Sequence, residues 1–209
     1  MDIAYETISA DEHDRLAGLY GPLTDAVRDL IDATILTDVD ADTIEDARIA
    51  IEAVTQKLRA SQLSPTSTVR YVVDGRPLVW GNAVIGMRNP IAPPLIIHHH
   101  DGGRCWSEFS LGTAYEGPPG LVHGGVCALV LDHILGEAAS EGLTKPLFTG
   151  TISVKYLRGT PLGELRAEAE IERTEGVKTF VRGSISDRTG TTAEAEGIFV
   201  MPGWARDMR

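Results

Sequence analysis

Cysteine is almost missing from this chain: Cys105 and Cys127 are the only two in 209 residues. That excludes a disulfide framework and leads us to expect a reduced, cytoplasmic setting. Long apolar runs are missing too. None approaches the roughly 18 residues that a membrane-crossing helix requires, so no membrane partner is expected. The start, Met1-Asp2-Ile3-Ala4-Tyr5-Glu6, has neither a basic nor an apolar region, so no secretory signal is expected. Basic residues are scarce: 19 Lys and Arg against 30 Asp and Glu give a net charge of −11. Such a surface repels phosphate backbones and excludes nucleic acid as a partner. Internal repeats and low-complexity tracts are absent.

What is present reads as globular, with 43% apolar and 23% charged residues. The length suits one domain with an extension. Most of the negative charge falls in residues 1–60, which leaves the remainder nearly neutral. The boundaries expected are an N-terminal helical extension over 1–65, a connecting segment over 66–93 and a main domain over 94–209.

Within the extension, Ser9-Ala10-Asp11-Glu12 forms a capping box. Leu16, Leu19, Leu23, Val27, Leu30 and Ile31 then recur at helical spacing, with a kink or interruption expected at Gly21-Pro22. A second box at Asp42–Glu45 opens a helix carrying Ile44, Ala47, Ile51, Val54 and Leu58 on one face. The two helices are expected to form an amphipathic layer packed on the main domain. Ser64-Pro65 and Asn89-Pro90 to Pro93-Pro94 interrupt regular structure. Pro94–His100 and Arg104–Gly112 read as strands.

The last 60 residues alternate with period two around Ile152–Tyr156, Leu165–Ile171, Val177–Ile185 and Ala193–Val200. Tight breaks separate them, so a four-stranded antiparallel meander with one wetted face is expected. Before it, Leu121–Ser140 is apolar all round, as in a buried helix. The fold class is α+β: a curved antiparallel sheet wrapped around a buried central helix.

Chemistry concentrates where that helix begins. Gly124-Gly125 leaves orphan N–H groups at a positive helix end, suited to a developing oxyanion. Taken alone, the glycines read better as a tight turn that allows close packing. Asp132 follows six apolar residues, where neither helix propensity nor packing asks for a carboxylate. It is a structural Asp, or else a general base or nucleophile favoured by burial. Gly124 and Asp132 lie about 12 Å apart along one helix, so one helix cannot bring both to one carbon. A second helix related by a two-fold axis can, which implies a homodimer, or a dimer of dimers, with sites at the interface.

The His-Gly-Gly turn, the acid seven residues after its second Gly and the run Thr149–Arg158 resemble the hotdog-fold acyl-CoA thioesterases. The similarity is to the phenylacetate-pathway and 4-hydroxybenzoyl-CoA branch, and Gly117-Pro118-Pro119-Gly120 resembles the lead-in of mammalian fatty-acyl-CoA thioesterases. It spans about residues 94–201. It implies a hotdog fold and hydrolysis of an acyl-CoA substrate, with no cofactor and no metal. Asp132 would activate water or attack the thioester, and the N–H of Gly124, aided by Gly125, would polarise its carbonyl. His123 would shape the turn, and Thr149 would position water. Gly117 and Val122 are assigned to the substrate-binding surface, and Lys155 and Arg158, with Lys178 and Arg182, to the CoA phosphates. Where some members carry an Asn ahead of the turn, this chain has Glu116-Gly117-Pro118, without a side-chain amide. Two rivals remain: a non-catalytic acyl-CoA-binding module, and a dehydratase using the adjacent Asp132 and His133. His98-His99-His100 reads as a polar strand end with His99 on the face opposite its neighbours, and both cysteines read as inert.

Overall fold

Period-two alternation builds the body of the molecule. The computed structural model describes residues 5–63 and 69–206, so Met1–Ala4 and the Ser64-Pro65 break lie outside the described residues. A six-stranded antiparallel sheet contains β4 (His98–His100), β5 (Arg104–Leu111), β6 (Phe148–Tyr156), β7 (Gly163–Glu175), β8 (Lys178–Asp187) and β9 (Gly190–Val200). Its order is β4-β5-β7-β8-β9-β6. The expected four-strand meander is therefore corrected. Only β7, β8 and β9 follow one another in space, whereas β6 crosses to the far edge beside β9 and β7 pairs with β5. Alternation reports which face a residue occupies but not which neighbour a strand takes.

The helix α3 (Gly124–Ala139) lies against β5 to β9. Val130, Leu131, Ile134 and Leu135 are fully sequestered there. They meet the inward residues of the sheet, among them Phe109, Ala167, Val181, Ile185 and Phe199. Gly183 and Gly197 have no room for a Cβ: at Gly183 it would sit 2.7 Å from the Glu168 carbonyl and 3.2 Å from Leu135, and at Gly197 2.7 Å from Phe199. The missing side chains let the helix approach the middle of the sheet.

A three-stranded sheet outside the expectations joins β1 (Glu6–Thr7) to the hairpin β2 (Arg70–Val73) and β3 (Arg76–Val79). The hairpin turns through Asp74 and Gly75, both at positive φ. β1 thus ties the start of the extension to the connecting segment, and Val84 of that segment joins the main core.

The extension itself holds α1 (Ala10–Leu36) and α2 (Ala41–Arg59). The box at Ser9 caps its helix as expected, with Ser9 accepting from Glu12 N–H, but the second cap is corrected: Asp40 accepts from Thr43 N–H, which leaves Asp42 inside the first turn. α1 runs through Pro22, so of the kink or interruption expected there the interruption is absent. Nor do both helices pack on the domain. α1 buries Thr24 and rests on the body, while α2 buries no residue.

Candidate functional site

The site grows from the first turn of α3. His123 is its N-cap: its Nδ1 accepts the Gly125 N–H at 3.0 Å. Val126 and Cys127 N–H turn back to the His123 carbonyl. Gly125, expected to aid the oxyanion, is therefore occupied by the cap. The Gly124 N–H is the one left in that turn without an intramolecular acceptor among the described residues. The Tyr156 hydroxyl donates to the Gly124 carbonyl at 2.8 Å, and its ring lies 3.4 Å from where a Gly124 Cβ would stand. Gly117 is needed for a different reason: a Cβ there would meet His123 Cα at 2.8 Å. The lead-in is fixed further by the Gly120 N–H bonding Glu116 at 2.6 Å and by the His123 N–H bonding the Tyr115 carbonyl.

Two turns along, Asp132 faces β6, and the Thr149 hydroxyl donates to its Oδ1 at 2.9 Å. The structure thus brings together the acid and the hydroxyl that lie 17 positions apart in the chain. Asp132 is only half-buried and Thr149 is exposed, which corrects the expected burial of the acid. The apolar run ahead of Asp132 is real, but the helical turn carries the acid round to the open edge of the sheet. Leu129, Phe148, Tyr156 and Leu157 stand exposed in the same region, a concentration of apolar side chains around two polar groups.

The buried carboxylate of α3 is Glu137, 3% exposed, which the sequence reading missed. Its oxygens lie 3.2 Å from His133 Nε2 and 3.3 Å from His99 Nε2. The His133 contact lacks hydrogen-bond geometry at Nε2. Burial acts to raise the pKa of Glu137, but the two imidazoles overcome it and hold the carboxyl at about 2. The available signal was the i, i+4 spacing of His133 and Glu137. His99 does point away from its neighbours, as expected. His98 stacks on Trp106 at 4.2 Å, and His100 Nε2 accepts from the Trp106 indole at 3.1 Å.

The remaining expected residues divide. Val122 is a buried core residue whose N–H donates to the Thr160 carbonyl at 2.8 Å. Arg158 is committed to Asp187, at 2.6 and 2.8 Å, and to the Gly190 carbonyl, at 2.7 Å. Arg182 is committed to Glu170. Lys155 stands exposed on β6. Both cysteines are buried, and burial followed by the Glu137 charge pushes Cys105 up to about 12, out of reach of thiolate chemistry. A groove of about 520 Å³ lies elsewhere, on the solvent face of the sheet between Trp106, Arg166, Arg182 and Glu194. Neither Asp132 nor Gly124 lines it.

Comparison with known proteins places the chain in a family. Residues 119–194 match the family model described as the thioesterase superfamily. A solved crystal structure of a thioesterase superfamily protein, RHA08564, is 32% identical, with a TM-score of 0.76 over 87% of this chain and 90% of that one. The chain belongs to the thioesterase superfamily. Among curated relatives of this superfamily member, acyl-coenzyme A thioesterase THEM4 of Xenopus laevis is 33% identical over 95 residues, 44% of this chain and 42% of that protein. THEM4 of Mus musculus is 32% identical over 101 residues, 46% and 43% of the two. The chain thus spans less than half the length of the curated relatives it matches. No described helix is long and apolar enough to cross a membrane.

Proposed function

We propose that this thioesterase-superfamily chain hydrolyses an acyl-CoA thioester to a free acid and CoA. The observation that carries the proposal is the Asp132–Thr149 pair beside an α3 whose first N–H, that of Gly124, is free. The Thr149 hydroxyl occupies one carboxylate oxygen and leaves the other to accept a proton from water. That water adds to the thioester carbonyl carbon, and the oxygen that gains charge is held by a Gly124 N–H and the positive end of its helix. Collapse of the tetrahedral intermediate restores the carbonyl, breaks the carbon–sulfur bond and releases the CoA thiolate. The thiolate is protonated by the acid now on Asp132. The relatives' name, acyl-coenzyme A thioesterase, supports this substrate class.

The sites form at a two-fold interface. Gly124 and Asp132 of one α3 stand about 12 Å apart, so each site takes Asp132 and Thr149 from one protomer and the Gly124 N–H from its partner. The exposed edge strand β6 and the apolar residues around Asp132 supply the contact surface. Of the four cations expected at the CoA phosphates, Lys155 and Lys178 are unpaired among the described residues, whereas Arg158 and Arg182 are paired, and Lys155 on β6 meets the phosphate. His133 is turned to Glu137 and gives Asp132 no imidazole partner, which favours hydrolysis over dehydration. The setting is cytoplasmic, consistent with two buried, reduced thiols.

The test is thiol release from short, long and aromatic acyl-CoAs by the wild-type chain and by Asp132→Asn. Loss of general-base action lowers kcat by about 10²–10⁴ while the fold persists. Binding of acyl-CoA without thiol release by the wild type would replace hydrolysis with the non-catalytic binding reading.

A further inference from the structure

Twelve of the twenty large apolar side chains that stand exposed among the described residues fall between Leu19 and Leu63. Such a concentration on a single chain marks a contact surface. On α1 the solvent-facing side carries Leu19, Leu23, Ala26, Leu30 and Ala33, at spacings of four, three, four and three. On α2, Ile44, Ala47, Ile51, Val54 and Leu58 follow at three, four, three and four. Both are narrow seams of period 3.5, the pattern that pairs one helix with another.

The seams match each other. Laid antiparallel, Ala26 faces Ile51, Ala47 faces Leu30 and Ala33 faces Ile44, so each small residue meets a large one. Leu19 with Leu58 and Leu23 with Val54 close the far end. The residues flanking the seam put no like charges opposite: Lys57 comes beside Pro22, Asp29 beside Ala50 and Arg48 beside Val27. The register is centred on residues 37–40, the linker between the helices, as in an αα-hairpin. Yet the hairpin is open. Thr37 and Asp40 are extended, with ψ of 141° and 164°, and the two seams remain in solvent.

We propose that α2 closes this hairpin on a second copy: α2 of one chain seats on α1 of its partner and the partner's α2 seats in return. The exchange covers both seams on both chains with one two-fold operation, whereas α2 pairing with its own copy leaves α1 bare. Seven of the twelve exposed side chains, together with Ala26, Ala33 and Ala47, lie on the two seams, so the exchange covers ten apolar positions in each chain. The seat is coupled to the site: Asp32 of α1 accepts the Thr113 hydroxyl at the start of the segment leading to His123. The inference rests on the arm alone and stands whether or not the chain hydrolyses thioesters.

The experiment is a pair of cysteines at facing positions, Leu23→Cys and Val54→Cys, both on exposed side chains. The natural Cys105 and Cys127 are buried and do not compete. The two single variants, carrying different tags, are co-expressed, oxidised and separated without reductant. The expected result is a disulfide joining the two tags, with little product from either variant alone. The double variant on one chain gives a covalent dimer. An internal disulfide that leaves the double variant a monomer would place α2 on its own α1 and overturn the exchange. Cross-linking of Val54→Cys alone at comparable yield overturns it in favour of α2 pairing with its copy, and no disulfide in any combination overturns it outright.

Discussion

Residues of the site differ in how far their chemistry follows from their neighbours in the chain. Gly124 sits at the first position of α3, after a His123 whose ψ of 131° suits a following proline. Gly124→Pro therefore deletes the one free N–H and keeps the helix start. Its expected effect is a fall in kcat of about 10²–10³ with unchanged far-ultraviolet circular dichroism. Thr149→Val removes a hydroxyl hydrogen-bonded to a carboxylate, which contributes roughly 1.5–3 kcal/mol in such pairs. Steady-state kinetics should show kcat lower by at least about tenfold, with KM little changed. Glu137 belongs to stability. Its carboxyl is held at about 2, below the ordinary value of 4.5. Its charged form thus adds stability fully present above pH 4.5 and lost as pH falls toward 2. In denaturant titrations the gap between wild type and Glu137→Gln should narrow across that window. Asp132 and the Gly-Gly turn were legible as residues. Glu137 was not, because its partner His99 comes from a strand 38 positions earlier, and spacing along α3 reveals only His133.

Elements divide along the same line. The capping box at Ser9 and the alternation of β7, β8 and β9 are local signals, and each gave the element it implies, while the second helix is capped by Asp40, two residues ahead of the expected Asp42. The apolar run of α3 likewise becomes a buried helix, and Leu131→Ala there should cost roughly 2–5 kcal/mol by chemical denaturation. The position of β6 is decided otherwise. Its alternation resembles that of its neighbours, but it pairs with β9 at the edge, where Thr149 reaches Asp132 and Tyr156 reaches Gly124. The hairpin of β2 and β3 escaped notice because four-residue strands give too few alternations to register. For α2 the periodicity was right and the partner wrong: an apolar face states that something covers it, not what.

At the scale of the whole molecule, the proposed site needs two chains, and that can be tested without a structure of the dimer. Asp132→Asn and Gly124→Pro each disable every site of their own homodimer. In a mixed dimer, one site collects both lesions and the other none. Mixing the two inactive variants after dissociation should restore about a quarter of wild-type thiol release under random pairing. Sites confined to single chains would stay silent. The likeness to the thioesterase superfamily structure covers 87% of this chain, so it takes in part of the helical arm as well as the sheet. The sequence by itself determined the long helices, the strands of the main sheet and their inward faces, and it singled out the acid and the turn on which the proposed site is built. These depend on caps, period and side-chain chemistry, which act over a few residues. Only the tertiary structure decided strand order, the exposure of Asp132, the His99–Glu137–His133 cluster and the open arm. Those depend on which distant segments meet, and an apolar face or a charge is satisfied equally well by many partners until packing selects one.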